Sequence, residues 1–260
     1  MRQSATRKAA TFLGGCLLLF ACSLDYLSRD FAQNGGGGDI PDGGGAEGNY
    51  CQSLEAEPTF CDDFDKGIHS SWRTAAQGGG LVKVDDGALQ ISVPANAADA
   101  FAYIEKSLSP TSENMLVEFH LTAQSLAGQT KAYQTVRFEI PNGGGTSQVS
   151  LTFGDDPNTP DHLEVRVKEH HRFTDGGSKD NGYGVPIPFP IGHAVDVSMQ
   201  VTPGTPTRVL VSIDQTADER SLSVAIPNAP NAKVALGVVQ PESPSTGWNL
   251  AIDNVTIVAH

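Results

Sequence analysis

The sequence predicts an all-β fold in which two antiparallel sheets pack face to face as a sandwich. From about residue 50 onward, apolar and polar residues alternate in many short runs, a period that places the two kinds on opposite faces of a strand. Turn-forming Pro, Gly, Asn and Asp separate these runs, and no long stretch has helical spacing. Many strands that each have one polar and one apolar face can bury their apolar faces when two sheets pack against each other.

The alternating runs also predict which side chains form the core. The segment after residue 49 has about 210 residues, a size that suits a jelly roll of a dozen or more strands. We see neither an internal repeat nor a second linker, so residues 50–260 are predicted to form one domain. The predicted inward-facing residues are Val117, Phe119, Leu121, Val136, Phe138, Ile140, Val149, Leu151, Phe153, Leu163, Val165, Val167, Val195, Val197, Met199, Val201, Val209, Val211, Ile213, Leu222, Val224 and Ile226.

The charge balance excludes one class of partner. The chain has a formal net charge of −13, and its first 21 residues contain three basic residues and no acid, so the remainder is more acidic still. Nucleic-acid binding depends on clustered Lys and Arg that displace counterions from phosphates. We therefore expect no nucleic-acid partner.

The first 21 residues have the order of an export signal. Basic residues at positions 2, 7 and 8 precede an apolar run over 11–21. That run is shorter than the ~20 residues that a membrane-spanning helix needs. We interpret residues 1–21 as a cleaved signal peptide.

The end of this signal resembles the lipobox of bacterial lipoproteins. Leu19, Phe20 and Ala21 precede Cys22, the position at which such proteins are cleaved and acylated. The resemblance implies a lipid anchor at Cys22 in the bacterial cell envelope, at the outer membrane or cell surface, and no other membrane contact. The alternative is an ordinary secreted protein with an incidental cysteine.

A glycine-rich segment follows the signal. Residues 34–48 contain few apolar side chains to offset the entropy of ordering so much glycine. We predict that residues 22–49 form a flexible tether between the anchor and a monomeric domain.

Two cysteines remain after the signal and the lipidation site are set aside. Cys51 and Cys61 lie in a protein predicted to reach an oxidising compartment, where such a pair forms a disulfide. A metal site is the alternative, but the spacing lacks Cys-x-x-Cys or Cys-His pairs.

Both ends of the domain resemble concanavalin A-like jelly rolls, which include lectins, laminin-G-like domains and family 16 glucanases. The opening sequence reads Phe60-Cys61-Asp62-Asp63-Phe64-Asp65, then Trp72, then Asp86-Gly87-Ala88-Leu89. The closing sequence is 248–257, Trp-Asn-Leu-Ala-Ile-Asp-Asn-Val-Thr-Ile. The resemblance implies the same two-sheet fold and a carbohydrate ligand.

The resemblance also implies a structural calcium ion. In that family an opening acid and an acid of the closing strand often share calcium, and the matching residues here are Asp63 and Asp253. Calcium prefers several oxygen ligands, which two carboxylates and backbone carbonyls can supply. The alternative is that these acids cap turns.

Glucanase chemistry is not expected. Retaining glucanases of the superfamily carry Glu-x-Asp-x-x-Glu, which supplies two carboxyl groups about 5 Å apart. No Glu in this chain is followed two positions later by Asp. We therefore assign no catalytic residue.

One polar face gathers the candidate ligand-binding residues, on the condition that their strands are neighbours. Arginine there would grip carboxylates of an acidic polysaccharide, and His120 would serve as a base. The alternative is a solvated face with cross-strand ion pairs. The residues of this face are Glu118, His120, Arg137, Glu139, Glu164, Arg166 and Lys168.

The proline-containing segment 180–191 is predicted not to pair as a strand. Its prolines cannot donate hydrogen bonds to a neighbouring strand. Such a segment either arches over the polar sheet as a binding loop or covers an edge.

Three functions remain open from the sequence. The first is a non-catalytic, surface-anchored lectin-like protein that binds glycan or another envelope component. The second is a polysaccharide-degrading hydrolase or lyase, and the third is a structural lipoprotein without a ligand.

The anchor prediction can be tested on the protein purified from its native membrane. We expect mass spectrometry of the N-terminal peptide to show Cys22 as the first residue, carrying acyl chains. A mature N-terminus at any residue before Cys22, or an unmodified Cys22, would contradict it.

Overall fold

The computed structural model describes residues 50–54, 58–108, 113–125, 132–155, 162–229, 231–241 and 247–259. These residues form an all-β sandwich with one short helix, which confirms the predicted fold class. The elements are α1 (Tyr50–Ser53), β1 (Phe60–Asp62), β2 (Arg73–Gln77), β3 (Leu81–Asp85), β4 (Ala88–Val93), β5 (Phe101–Ser107), β6 (Met115–Ser125), β7 (Tyr133–Asn142), β8 (Gly145–Asp155), β9 (His162–Phe173), β10 (Ser178–Pro190), β11 (Ala194–Thr202), β12 (Arg208–Ile213), β13 (Thr216–Ser221), β14 (Lys233–Pro241) and β15 (Trp248–Ala259).

The strands form two antiparallel sheets. Sheet A has the order β13-β12-β11-β6-β15-β4-β3, and β1 also pairs with β15. Sheet B has the order β10-β9-β8-β7-β14-β5-β2. Because consecutive strands β7 to β10 are neighbours in sheet B, side chains that alternate along this part of the chain meet across strands.

The predicted alternation is confirmed over most of the chain. Each predicted inward-facing residue from Val117 to Ile213 is buried, and one hydrophobic core lies between the sheets. Trp248 is fully buried in this core, with its ring centroid 4.2 Å from that of Tyr133. Trp72 is buried as well, so both tryptophans support the fold.

The predicted strand over residues 222–226 is wrong. The strand lies just before it, as β13, and Val224 is only partly buried. Residues 222–226 instead return to the start of β12: the Leu222 amide donates to the Thr207 carbonyl, and the Ile226 amide donates to Thr207 Oγ1. The apolar spacing reflects contacts of this return segment with the core.

The prediction for residues 180–191 is also wrong, because this segment pairs as β10. It is the edge strand of sheet B, hydrogen-bonded on one side to β9. The register shifts between Val185 and Phe189, around two of the prolines. An edge strand tolerates proline because only one of its sides must donate hydrogen bonds to a neighbour.

A disulfide and a buried carboxylate stabilise the first residues of the domain. Cys51 and Cys61 form the predicted disulfide, which links α1 to β1. Asp62 Oδ1 accepts a hydrogen bond from the Phe64 amide, and its Oδ2 accepts one from Trp72 Nε1 at 2.9 Å. The opening motif is therefore a structural one.

The lipidation site Cys22, the signal 1–21 and the tether 22–49 lie outside the described residues and remain predictions. Within the ranges described above, no helix is both long enough and apolar enough to cross a bilayer.

We expect Trp248→Ala to lower the free energy of unfolding by about 3–5 kcal/mol, because it removes a fully buried side chain and leaves a cavity. Urea denaturation monitored by circular dichroism measures the change. The matched control is Leu81→Ala, whose side chain is 62% exposed and should change stability by less than about 0.5 kcal/mol. Similar losses in both variants would contradict the assigned core.

Candidate functional site

The structure brings five of the seven residues of the predicted polar face to one surface. Arg137 and Glu139 lie on β7, and Glu164, Arg166 and Lys168 lie on β9, all on the outer face of sheet B with β8 between them. Glu118 and His120 lie on β6 in sheet A, so the condition of neighbouring strands is not met for them.

Strand register assembles a row of polar side chains across sheet B. Glu139 on β7 pairs with Gln148 on β8, which pairs with His170 on β9, which pairs with Asp180 on β10. These four residues form what we call the central row. Adjacent strands are about 4.8 Å apart, so the row spans about 14 Å.

The central row lies in an open groove of about 590 Å³. Lys168 and Arg172 flank His170 at alternate positions of β9 and also line the groove. The further lining residues are Gln134, Thr146, Ser150, Glu169, Asn181 and Gln240. We call this concavity the sheet B groove, and its walls are rich in hydrogen-bond donors that suit a hydroxylated ligand.

Two of the chain's few cations line this groove. β9 presents Arg166, Lys168 and Arg172 outward, and Arg166 is paired with Glu164 at 2.6 Å. Lys168 and Arg172 are therefore the cations that line the groove itself. Acids outnumber these cations, because the same groove is also lined by Glu139, Glu169 and Asp180. The two cations therefore provide local positions for a carboxylate, while the groove as a whole is not positive.

The central row contains an oriented histidine. His170 Nδ1 lies 2.6 Å from Asp180 Oδ1. A carboxylate that accepts the Nδ1 proton leaves the lone pair on Nε2, the tautomer of a general base. The His170 side chain is 40% exposed, so a ligand in the groove can reach it.

A buried polar network lies beneath the groove and was missed by the sequence reasoning. Glu169 and His171 face inward from β9, and their side chains are almost inaccessible. Glu169 Oε2 accepts from the amide and hydroxyl of Ser223 at 2.9 Å, and lies 3.0 Å from His171 Nε2. The signal was present, since the alternation of β9 places both residues on the core face.

This network does not form a second catalytic site. His171 Nδ1 lies 2.9 Å from Ser147 Oγ, which gives Ser147, His171 and Glu169 the composition of a nucleophilic triad. Ser147 is fully buried, however, and no substrate can reach it. The network instead joins sheet B to the segment after β13 of sheet A, because Ser223 lies two residues beyond the end of that strand.

His120 takes part in a different cluster, on the outer face of sheet A. Its Nε2 lies 2.8 Å from Asp196 Oδ1, and its Nδ1 lies 3.2 Å from Asn254 Nδ2. The hydrogen bond to Asp196 raises the pKa of His120, and the negative charges of Asp196, Asp253 and Asp214 add to the effect. The cluster holds this histidine against the sheet.

Tyr50 of α1 covers one end of that cluster. Burial raises the pKa of Tyr50 to about 12, with a further contribution from the charge of Glu118. Burial also raises the pKa of Glu118 to about 7. The Cys51–Cys61 disulfide therefore holds α1, and with it Tyr50, next to Glu118. The raised pKa of Glu118 favours the protonated form of its carboxyl group.

The calcium prediction stays a prediction. Burial raises the pKa of Asp253, and the charges of Asp65 and Asp63 add to this, so the three carboxylates are near enough to interact. Among the residues that the structure describes, no three His, Cys, Asp or Glu side chains form a group suited to a metal ion.

Comparisons with known proteins identify the fold. An endo-β-1,4-glucuronan lyase from the fungus Trichoderma reesei matches with a TM-score of 0.56 and 12% identity, over 78% of this chain and 96% of the lyase. A family 16 glycoside hydrolase from Bacteroides ovatus, solved with a glucan product, matches with a TM-score of 0.54 and 14% identity, over 76% of this chain and 99% of that chain. This chain has the concanavalin A-like jelly-roll fold.

An alginate lyase from Pseudomonas aeruginosa has the same fold, with a TM-score of 0.51 and 15% identity, over 69% of this chain and 86% of the lyase. No family model matches the sequence, and no curated protein matches it. At these identities the likeness establishes the fold of the concanavalin A-like domain, and its function must be argued from the groove.

The Glu118 carboxyl gives a prediction for pH-dependent stability. Its pKa is raised from 4.5 to about 7 in the folded protein, so between these values the folded state holds a proton that the unfolded state releases. The free energy of unfolding should fall as pH rises through this window, by on the order of 3 kcal/mol, and then level off.

Glu118→Gln should remove most of this decrease, as measured by urea denaturation at pH values across the window. His120 also has a raised pKa and contributes a decrease of the same sign, which the variant retains. The control is Glu113→Gln, an exposed position whose profile should follow that of the unmodified protein. Parallel profiles for all three proteins would contradict the prediction.

Proposed function

We propose that this protein binds an anionic polysaccharide in the sheet B groove and cleaves it by β-elimination. The observation that carries the proposal is the central row, in which His170 is held by Asp180 beside two cations in an open groove. The glucuronan and alginate lyases that share the fold act on polymers of uronic acids, which agrees with this chemistry.

The ligand class follows from charge and from shape. Lys168 and Arg172 attract the carboxylates of a uronate, while Gln148 and Ser150 supply donors and acceptors for hydroxyl groups. The groove is open rather than closed, so a polymer can enter along its length instead of by its end. A polysaccharide with regularly spaced carboxylates fits these constraints.

The reaction can be assigned to residues of the central row. Elimination at a uronate needs a group that neutralises the carboxylate and a base that removes the proton from the adjacent ring carbon, C5. Gln148 and Lys168 are placed for the first role, and His170 Nε2 for the second. The C4–O bond then breaks, a C4=C5 double bond forms, and His170 returns the proton to the leaving oxygen.

Hydrolysis is less well supported by the same groove. The outward carboxylates of the central row are Glu139 and Asp180, three strands apart, or about 14 Å. Glycosidases need two carboxyl groups between about 5 and 9.5 Å apart. Glu169 faces inward and is buried, so it cannot complete such a pair.

Binding without turnover is the second candidate function. The same cations and amides would hold a glycan if the reactive carbon did not reach His170. Under either function we propose that the domain works outside the cytoplasm, attached through Cys22, and the Cys51–Cys61 disulfide supports an oxidising location.

The decisive experiment incubates the full-length protein with glucuronan, alginate and a neutral β-1,4-glucan. We expect ultraviolet absorbance from an unsaturated uronate to increase with at least one anionic polymer and not with the neutral glucan. His170→Ala should lower kcat by about 100-fold or more, because it removes the base. Lys168→Ala should lower kcat/KM by about 10-fold, because it removes a charge that both attracts the carboxylate and neutralises it during elimination.

His193→Ala is the matched control, because His193 is exposed in the turn before β11 and lies outside the groove. It should leave the rate unchanged. Binding of the anionic polymers without product formation would replace the lyase proposal by the lectin-like one. Failure to bind any anionic polymer would overturn both.

A further inference from the structure

The sheet B groove continues into a second concavity of different chemistry. This concavity has a volume of about 460 Å³ and shares Gln134, Lys168 and Gln240 with the groove. It extends toward β5 and β2, on the side away from His170. We call it the aromatic pocket, and its remaining lining residues are Gln77, Asp99, Ala100, Phe101, Ala132, Thr152 and Val239.

The aromatic pocket lacks the second cation of the groove, Arg172. Lys168 is the cation among its lining residues, and it lies at the junction that the two concavities share. Asp99 contributes a negative charge at the far end. A carboxylate in this pocket would meet repulsion from Asp99 and, beyond the junction, no compensating cation within the described lining.

Phe101 gives the aromatic pocket a flat apolar wall. It is half-buried on β5 and packs against Tyr103, with ring centroids 5.6 Å apart. Tyr103 in turn lies under the Arg137 guanidinium, whose central carbon is 5.8 Å from the ring centroid. These contacts hold the Phe101 ring in place. The exposed side of that ring is therefore a pre-formed surface for the apolar face of a sugar ring.

The backbone beneath Phe101 is also fixed. The chain between β2 and β3 passes so close to β5 that a Cβ atom at Gly80 would lie 2.1 Å from the Phe101 carbonyl oxygen. This close approach therefore requires glycine at position 80. Phe101 lies on a strand whose backbone is packed against the turn between β2 and β3.

Building on the proposed function, we propose that the aromatic pocket binds an uncharged sugar ring stacked on Phe101 while the groove binds a uronate. The natural ligand is then a polysaccharide that contains both neutral and acidic residues, rather than a pure uronate polymer. Asp99 and Gln77 accept and donate hydrogen bonds to the hydroxyl groups of the neutral ring, as polar groups beside an aromatic wall do in sugar sites.

The spacing of the strands is compatible with this assignment. From β5 the sheet continues through β14, β7 and β8 to β9, with about 4.8 Å between neighbours. Each step is comparable to the length of one pyranose ring along a polysaccharide. A chain that crosses the strands therefore reaches from Phe101 to Lys168 within a few sugar residues.

The test measures the affinity of the full-length His170→Ala protein, which prevents turnover, for three hexasaccharides. These are an all-glucuronate oligomer, a neutral β-1,4-glucan oligomer, and an oligomer that alternates glucuronate with an N-acetylhexosamine. Isothermal titration calorimetry gives the dissociation constants. We expect the alternating oligomer to bind at least 10-fold more tightly than the all-glucuronate oligomer.

Two further substitutions in the same protein assign this preference to the pocket. Phe101→Ala should remove the preference and leave the affinity for the all-glucuronate oligomer within 2-fold. Phe101→Leu keeps the apolar volume but lacks the aromatic face, so it should lose most of the preference while remaining folded. Leu81→Ala, an exposed apolar position on β3, should retain the full preference.

The outcomes separate this inference from the proposed function. Equal binding of the two anionic oligomers, unaffected at Phe101, would overturn the inference and leave the anionic-polysaccharide function standing. Tight binding of the neutral oligomer alone would overturn the function. A preference that survives Phe101→Leu would show that another surface produces it and would also overturn the inference.

Discussion

The groove depends on the strand register of β9. Every second residue of this strand faces the core and every other residue faces solvent, so a slip of one position would bury the cations that line the groove and expose the valines beneath. The inward residues Glu169 and His171 strengthen this constraint. Their hydrogen bonds to Ser223 and Ser147 can form in one register only. In any other register these buried polar groups would lack hydrogen-bond partners, which costs free energy. The network therefore favours the native strand pairing.

The two outer faces of the sandwich hold their charged side chains differently. On sheet A, His120 and its acidic neighbours satisfy one another, and Tyr50 covers Glu118. On sheet B, the structure shows His170 hydrogen-bonded to Asp180, with the adjacent cations facing an open groove. Both faces carry histidine next to aspartate, and on sheet B this pair lies in an open groove. The proposed function depends on that space.

The sequence predicted the fold well, because one face of almost every strand is apolar and that alternation is a direct consequence of the pleat. It failed at residues 222–226, where the same spacing belongs to a return segment held by Thr207. It also failed at β10, because proline excludes only central positions in a sheet and the sequence does not show which strand is at the edge.

The site was predicted only in part, because strand order decides which polar residues meet. Arg137 and Glu139 were assigned correctly to a face shared with β9, but His120 was grouped with them although β6 belongs to the other sheet. His170 was not among the predicted site residues, and Asp180 was included only as the first residue of the segment 180–191. Their contact joins the two strands of a hairpin and depends on the register there, which turn geometry sets.

The prolines on the edge strand of sheet B affect how copies of this protein interact at high local concentration. A free strand edge is a template to which a second copy of the same protein can add, and repeated addition produces fibres. In β10 the prolines at 186, 188 and 190 interrupt the donors that such addition needs. Copies of this protein at high local concentration would therefore stay separate, each with its sheet B groove open.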